Sequence, residues 1–192
     1  MEAKRTRQRW TYPEFARLPS EGSTRYEVID GELVVTPAPA LRHQEIVTHL
    51  VWLLYGFVRE HQLGKVFGSP VDVLFADGDY VEPDIVFVQA GRSDVLTERG
   101  VEGPPDLVAE VLSPATAARD RGVKLERYGL YGVQEYWVVD PDQRTIEVWK
   151  PARDAHAPVV HQGADILRWT PFAGGPTLEI ALPELFGSPS TG

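Results

Sequence analysis

The stretch from Gly103 to Pro114 reads GPPDLVAEVLSP, and it constrains the fold more than any other part of the chain. Leu107, Val108, Ala109, Val111 and Leu112 form an apolar run without the alternation of a half-exposed strand, so both faces need covering, as in a strand inside a sheet. Glu110 interrupts that run. A carboxylate there is costly unless something compensates it. Either Glu110 is an accident of a strand end, or it holds a cation or takes part in chemistry.

The flanking pattern supplies the covering layers. Thr11 to Leu18, TYPEFARL, predicts one short helix, with Thr11 as cap, Pro13 in the first turn and Glu14 at the positive end of the dipole. After a linker at Ser20 to Ser23, strands are expected at Tyr26–Ile29 and Glu32–Val35 around the turn signal Asp30-Gly31. TPAPA follows as a loop. Leu41 to His61 is the strongest helix, because Ile46, Leu50, Leu53, Leu54 and Phe57 recur at helical spacing; Gly64 ends it.

Extended pieces over Lys65–Phe75, broken by Pro70, and Ile85–Val88 suggest a hairpin joined by ADGD. Residues 90–106 read as polar connection with a short helical turn near Asp94–Glu98. Beyond the strand Leu107–Leu112, a helix is expected from Thr116 to Tyr131, closed by Gly132. EYWVVD is a further strand, TIEVWK a returning edge strand, and from Pro151 the chain looks looser until an extended piece and short helix in TLEIALPELF. No internal repeat is present. The order predicts an α/β domain, a mixed sheet packed by helices. No glycine-rich loop joins a strand to a helix and no Walker sequence exists, which excludes a nucleotide cofactor of those types.

Composition narrows the chemistry. The chain of 192 residues contains no cysteine, so any metal must be held by oxygen or imidazole. The net charge of −9 argues against a surface that wraps nucleic acid without ions, although KRTRQR at positions 4 to 9 is either a local phosphate-contacting patch or a solubilising tail. No window approaches a membrane span and MEAKRTRQRW has no apolar signal core. No membrane association and a cytoplasmic location are the expectations.

Four residues carry the chemical reading: Glu27 in the first strand, His43 just inside the long helix, Asp84 before IVFV, and Glu110. Each has a plainer alternative, namely a cross-strand ion pair for Glu27, a cap or solvated ring for His43, and a turn for Asp84. Carboxylates converging at strand ends repel unless a cation sits between them, and hard Mg²⁺ or Mn²⁺ prefers such oxygen ligands. Lys124, on the next helix, either assists a water or pairs with Glu126. Tyr128 lies one turn beyond it on the same face, and hydrogen-bonds the site or merely packs there. Asp72 in SPVDVLF is an additional ligand or a solvated acid.

The stretches YEVIDGELVVTPAPALRHQEIV, VEPDIVFV, PDLVAEVLSPATAARDRGVKLERY and GVQEYWVVDP resemble the Uma-type family, whose members are classed as endonucleases of the restriction-endonuclease-like superfamily named for its PD-(D/E)XK motif. The similarity spans Arg25 to Lys150. It implies a central mixed sheet flanked by helices, divalent-metal phosphodiester hydrolysis and frequent dimerisation. Asp84 corresponds to the proline-aspartate motif, Glu110 to the second acidic ligand and Glu27 to the upstream acid. The motif lysine is expected two residues after Glu110, where this chain has Leu112, on the same face by strand periodicity. The family pattern suggests Lys124 in its place, with Gln44 as a further polar group beside His43.

The expectation is therefore an arm and short helix over residues 1–24, a nuclease-like core over 25–150 and an extension over 151–192 packed on the same domain. Its function would be Mg²⁺- or Mn²⁺-dependent cleavage of DNA by a homodimer. Two alternatives stand beside it. One is a non-catalytic nucleic-acid or protein-binding module, which would need a basic strip from Arg119, Arg121, Arg127 and the N-terminal arginines. The other is a structural homodimer using the tryptophan-rich strands.

Overall fold

Strand pairing builds two six-stranded sheets around a shared core, the second from pieces that the sequence leaves as scattered extended segments. The computed structural model describes residues 9–19, 24–75 and 78–187. Positions 4–8 of the basic stretch and the linker at 20–23 lie outside the described residues.

The chain runs through α1 (Tyr12–Phe15), β1 (Arg25–Ile29), β2 (Glu32–Thr36), α2 (Leu41–Glu60), β3 (Gly64–Gly68), β4 (Val73–Leu74), β5 (Tyr80–Val81) and β6 (Ile85–Gln89). A 3-10 turn (Ala90–Val95) leads to β7 (Leu96–Thr97), β8 (Gly100–Glu102) and β9 (Leu107–Val111). Then come α3 (Ala117–Arg119), a π-helical segment (Asp120–Lys124) and α4 (Leu125–Tyr131). The chain ends in β10 (Glu135–Asp140), β11 (Thr145–Lys150), β12 (Asp154–Gln162), β13 (Ile166–Trp169), β14 (Leu178–Ala181) and α5 (Leu182–Phe186).

The main sheet has the order β12-β11-β10-β9-β6-β3, parallel between β9 and β10 and antiparallel elsewhere. The fold is thus α/β with a central mixed sheet flanked by helices. Alternation along β9 divides its neighbours. Leu107, Ala109 and Val111 face Ile46, Leu50, Leu54 and Val58 of α2, as the 3.6-residue stripe requires. Val108 and Leu112 join Val73, Val81 and Val101 of the second sheet and Leu125 and Tyr128 of α4. Glu110 belongs to that second face by period two.

The second sheet has the order β2-β1-β5-β4-β8-β7. Its β1–β2 hairpin turns on Asp30 (φ 51°) and Gly31 (φ 81°), the paired positive φ values that a two-residue turn matching strand twist demands.

Several expectations are corrected. The hairpin over Lys65 to Val88 exists as β3 pairing with β6, Lys65 opposite Val88, but ADGD joins β4 to β5, which leave for the second sheet. The helix expected from Thr116 to Tyr131 is broken into three by the π segment. The short helical turn lies at Ala90–Val95 rather than at Asp94–Glu98, and Leu96–Thr97 is extended. TIEVWK is not an edge, because β12 pairs outside it, and the region after Pro151 is ordered into three strands and α5. Its polar composition reflects one solvated face: Leu167, Trp169, Ile180 and Leu182 are buried against α2 and the main sheet. Among the described residues no helix is long and apolar enough to cross a membrane.

Candidate active site

Sheet register brings the two motif acids together. The antiparallel pairing of β6 with β9 sets Ile85 opposite Ala109, so continuing it by one residue places Asp84 across from Glu110. Instead of a ladder bond, Asp84 Oδ2 accepts the Val111 N–H at 2.8 Å. Both carboxylates line a cavity of about 270 Å³ together with Arg25, Glu27, His43, Asp120 and Lys124.

Glu27 arrives from β1 of the second sheet, where it is 2 % exposed and accepts the Glu82 N–H at 3.1 Å. Lys124 arrives from the π segment, whose additional residue per turn re-aims side chains relative to an α-helix. Its Nζ lies 2.7 Å from Glu27 Oε1 and 2.8 Å from Glu110 Oε1. The expected lysine position is occupied by Leu112, which packs in the second core; the amine in the cavity belongs to Lys124. Tyr128 donates to the same Glu110 oxygen at 3.0 Å. His43 Nε2 is 3.1 Å from Asp84 Oδ2, and Arg25 Nη1 donates to Asp84 Oδ1 at 2.8 Å.

Gln44 and Asp72 are not in this group. Both line a separate cavity with Glu82 and Ser69, which shares Arg25 and Pro39 with the site.

Three participants were missed at the level of sequence. Asp120 Oδ1 is 3.8 Å from Lys124 Nζ, Arg119 Nη2 is 3.6 Å from Glu27 Oε2, and Arg25 spans Asp84 and Glu82. Signals existed for two of them: Arg25 shares the strand face of Glu27 two residues on, and Asp120 stands four residues before Lys124. Among the described residues, the arginines expected to form a basic strip are each ion-paired with acids. Arg119 pairs with Glu27, Arg121 with Asp140 and Glu147, and Arg127 with Asp79 and Asp30; Arg9, the described part of the N-terminal stretch, pairs with Asp30.

Electrostatics separates the two motif acids. Burial pushes the Glu110 carboxyl up to about 8, with Asp120, Asp84 and Glu27 adding to the rise and Lys124 opposing it. Burial also works on Asp84, but the hydrogen bond with His43, the Arg25 charge and the Val111 N–H outweigh it and hold Asp84 below the usual carboxylate range. Lys124 is desolvated, yet Glu110, Glu27 and Asp120 raise it further, so it stays an ammonium. Asp120 is raised by burial. Four acids, Glu27, Asp84, Glu110 and Asp120, thus face three fixed cations, Arg25, Arg119 and Lys124, so the cluster falls short of positive charge once Glu110 gives up the proton that burial holds on it up to about pH 8.

That shortage bears on a metal. Among the described residues no group of three or more His, Asp and Glu side chains is arranged as a metal cage. Asp120 Oδ1 is buried without a hydrogen-bond partner. Mg²⁺ commonly takes only one or two carboxylates and completes its shell with water and phosphate oxygens, so the two motif acids, the Asp120 oxygen without a hydrogen bond and the negative charge left when Glu110 is ionised fit a hard divalent cation in donor chemistry and charge.

A family model described as "Uma2: Putative restriction endonuclease" matches residues 12–181. The chain belongs to the Uma2 family. That assignment carries the restriction-endonuclease-like superfamily with it. An uncharacterized protein, sll1609, from Synechocystis sp. is 23 % identical to this Uma2 chain over 149 residues, 75 % of this chain and 82 % of the other. The crystal structure of a "putative nuclease belonging to DUF820" from Anabaena variabilis shares 24 % identity and a TM-score of 0.76, over 92 % of this chain and 97 % of that one. That likeness shows the fold.

Proposed function

We propose that this Uma2 protein is a divalent-metal-dependent endonuclease that hydrolyses phosphodiester bonds in DNA and acts as a homodimer. The observation that carries the reading is the position of Lys124 Nζ, 2.8 Å from Glu110 and 2.7 Å from Glu27, in the cavity that Asp84 also lines. It supplies from the neighbouring helix the amine that Leu112 lacks.

In this proposal Asp84 and Glu110, with Glu27 as the third acid, hold Mg²⁺ or Mn²⁺. When bound, the cation supplies water activation and neutralises charge developing on phosphate oxygens. Lys124 serves as a cation rather than as a base, since three acids keep its proton on; it orients the attacking water and faces the phosphate. Arg25 and Arg119 line the same cavity and present guanidinium donors suited to phosphate oxygens. Tyr128 and His43 position Glu110 and Asp84 through the hydrogen bonds that they make.

The test is cleavage of plasmid and single-stranded DNA with Mg²⁺ or Mn²⁺ by the parent, Asp84→Ala, Glu110→Gln and Lys124→Ala. The expected result is cation-dependent cleavage by the parent, lower by about a hundredfold or more in each variant. Equal cleavage by all four proteins, or none by the parent with either cation, overturns the proposal.

A further inference from the structure

The candidate active site leaves one long helical face unexplained. On α2, positions 41, 45, 48, 52, 55 and 59 all point outward, and their spacing of 4-3-4-3-4 is that of a coiled-coil seam. The opposite face of α2 is already buried in the core. The outward seam carries Leu41 at 91 % exposure, Trp52 at 70 % and Tyr55 at 50 %, large apolar groups that a monomer's surface has no reason to align.

The seam is self-complementary. Trp52 sits midway, with Glu45 seven residues before it and Arg59 seven residues after, so all three lie on one line. A two-fold axis through Trp52, with the helices antiparallel, sets Glu45 of each copy against Arg59 of the other. The same operation carries Leu41 about 16 Å past the axis, to the C-terminal end of the partner helix. A groove of about 600 Å³ opens at that end, lined by Tyr55, Arg59, Val66, Phe67 and Leu96. Opposite the seam's Thr48 the operation brings Gly56, where an added Cβ would meet nothing within 4 Å, so the helices can approach closely.

We propose that the outward face of α2 is an isologous dimer interface, in which two copies of this chain pair antiparallel about Trp52, with the Glu45–Arg59 pairs formed twice and Leu41 seated in the partner's groove. An interface of this kind is closed by its own symmetry, so it yields a dimer and not a filament. The nuclease reading names only a homodimer; this assigns its surface, and stands or falls independently of catalysis.

Sedimentation equilibrium of the full chain tests it. The parent is expected to sediment as two chains, and Trp52→Glu as one, with unchanged far-ultraviolet circular dichroism since Trp52 is exposed. Glu45→Arg and Arg59→Glu are each expected to weaken the dimer by about tenfold or more, and the double exchange Glu45→Arg/Arg59→Glu to restore it. A monomeric parent overturns the proposal, as does a dimer indifferent to Trp52→Glu. A double exchange as weak as the single changes overturns the antiparallel pairing about Trp52.

Discussion

At the scale of residues, the site is an arrangement of charges in which Lys124 is the keystone. Removing its ammonium leaves Glu27, Glu110 and Asp120 buried around an apolar space, so Lys124→Met is expected to lower stability by about 3–5 kcal/mol in urea denaturation at pH 7. Lys124→Arg is not expected to rescue activity, because a planar guanidinium cannot sit between Glu27 and Glu110 as a compact ammonium does. Glu110→Gln differs in sign. It removes a charge that burial disfavours while keeping the oxygen that Tyr128 and Lys124 reach, so cleavage is expected to be lost with stability at pH 8 unchanged or higher. A Glu110→Gln protein that unfolds more easily than the parent at pH 8 would contradict this account. Glu110 was legible in the sequence because an acid inside an apolar strand has few explanations. Arg25 and Asp120 carried only a spacing signal, two residues from Glu27 and four from Lys124, whereas Arg119 carried none, because only the packing of its helix against β1 makes it a neighbour of Glu27.

At the scale of elements, long periodic segments were legible and short ones were not. The stripe of α2 and the Asp30-Gly31 hairpin follow from local rules, whereas β4, β5, β7 and β8, of two or three residues each, carry too little pattern to announce a second sheet. The π segment was invisible for a different reason. RDRGVK reads as helix, and the departure comes at Gly122, whose φ of −110° and ψ of −105° leave the helical region and set the turn that carries Asp120 and Lys124. Deleting Gly122 removes the additional residue and rotates the upstream turn by about 100° relative to α4. The helix is expected to persist by circular dichroism, and cleavage to be lost, because Asp120 and Arg119 no longer face the cavity. Retained cleavage in that deletion would show that the π segment does not set the site.

At the scale of the whole molecule, the buried acids make stability depend on pH in an unusual direction. Glu110 has an ordinary value of 4.5 and is raised to about 8 in the fold, so between those values the folded state holds a proton that the unfolded chain has released. Stability then falls as pH rises through that window, and the upward shift of Asp120 adds to the fall. Asp84 acts oppositely: its lowered value contributes stability above about 3.8 that is lost as pH falls below its folded value. Lys124, raised from 10.5, contributes stability that is lost only in strong alkali. The parent is therefore expected to be most stable near pH 5 in urea titrations, to weaken steadily toward pH 8, and to show a flatter profile as Glu110→Gln. A divalent cation that takes the place of the Glu110 proton reverses the trend, so Mg²⁺ is expected to raise the melting temperature more at pH 8.5 than at pH 6. Mg²⁺ that stabilises both equally, or that stabilises Glu110→Gln as well as the parent, would mean that the ion binds away from Glu110 and that the shortage of positive charge is met by protons alone.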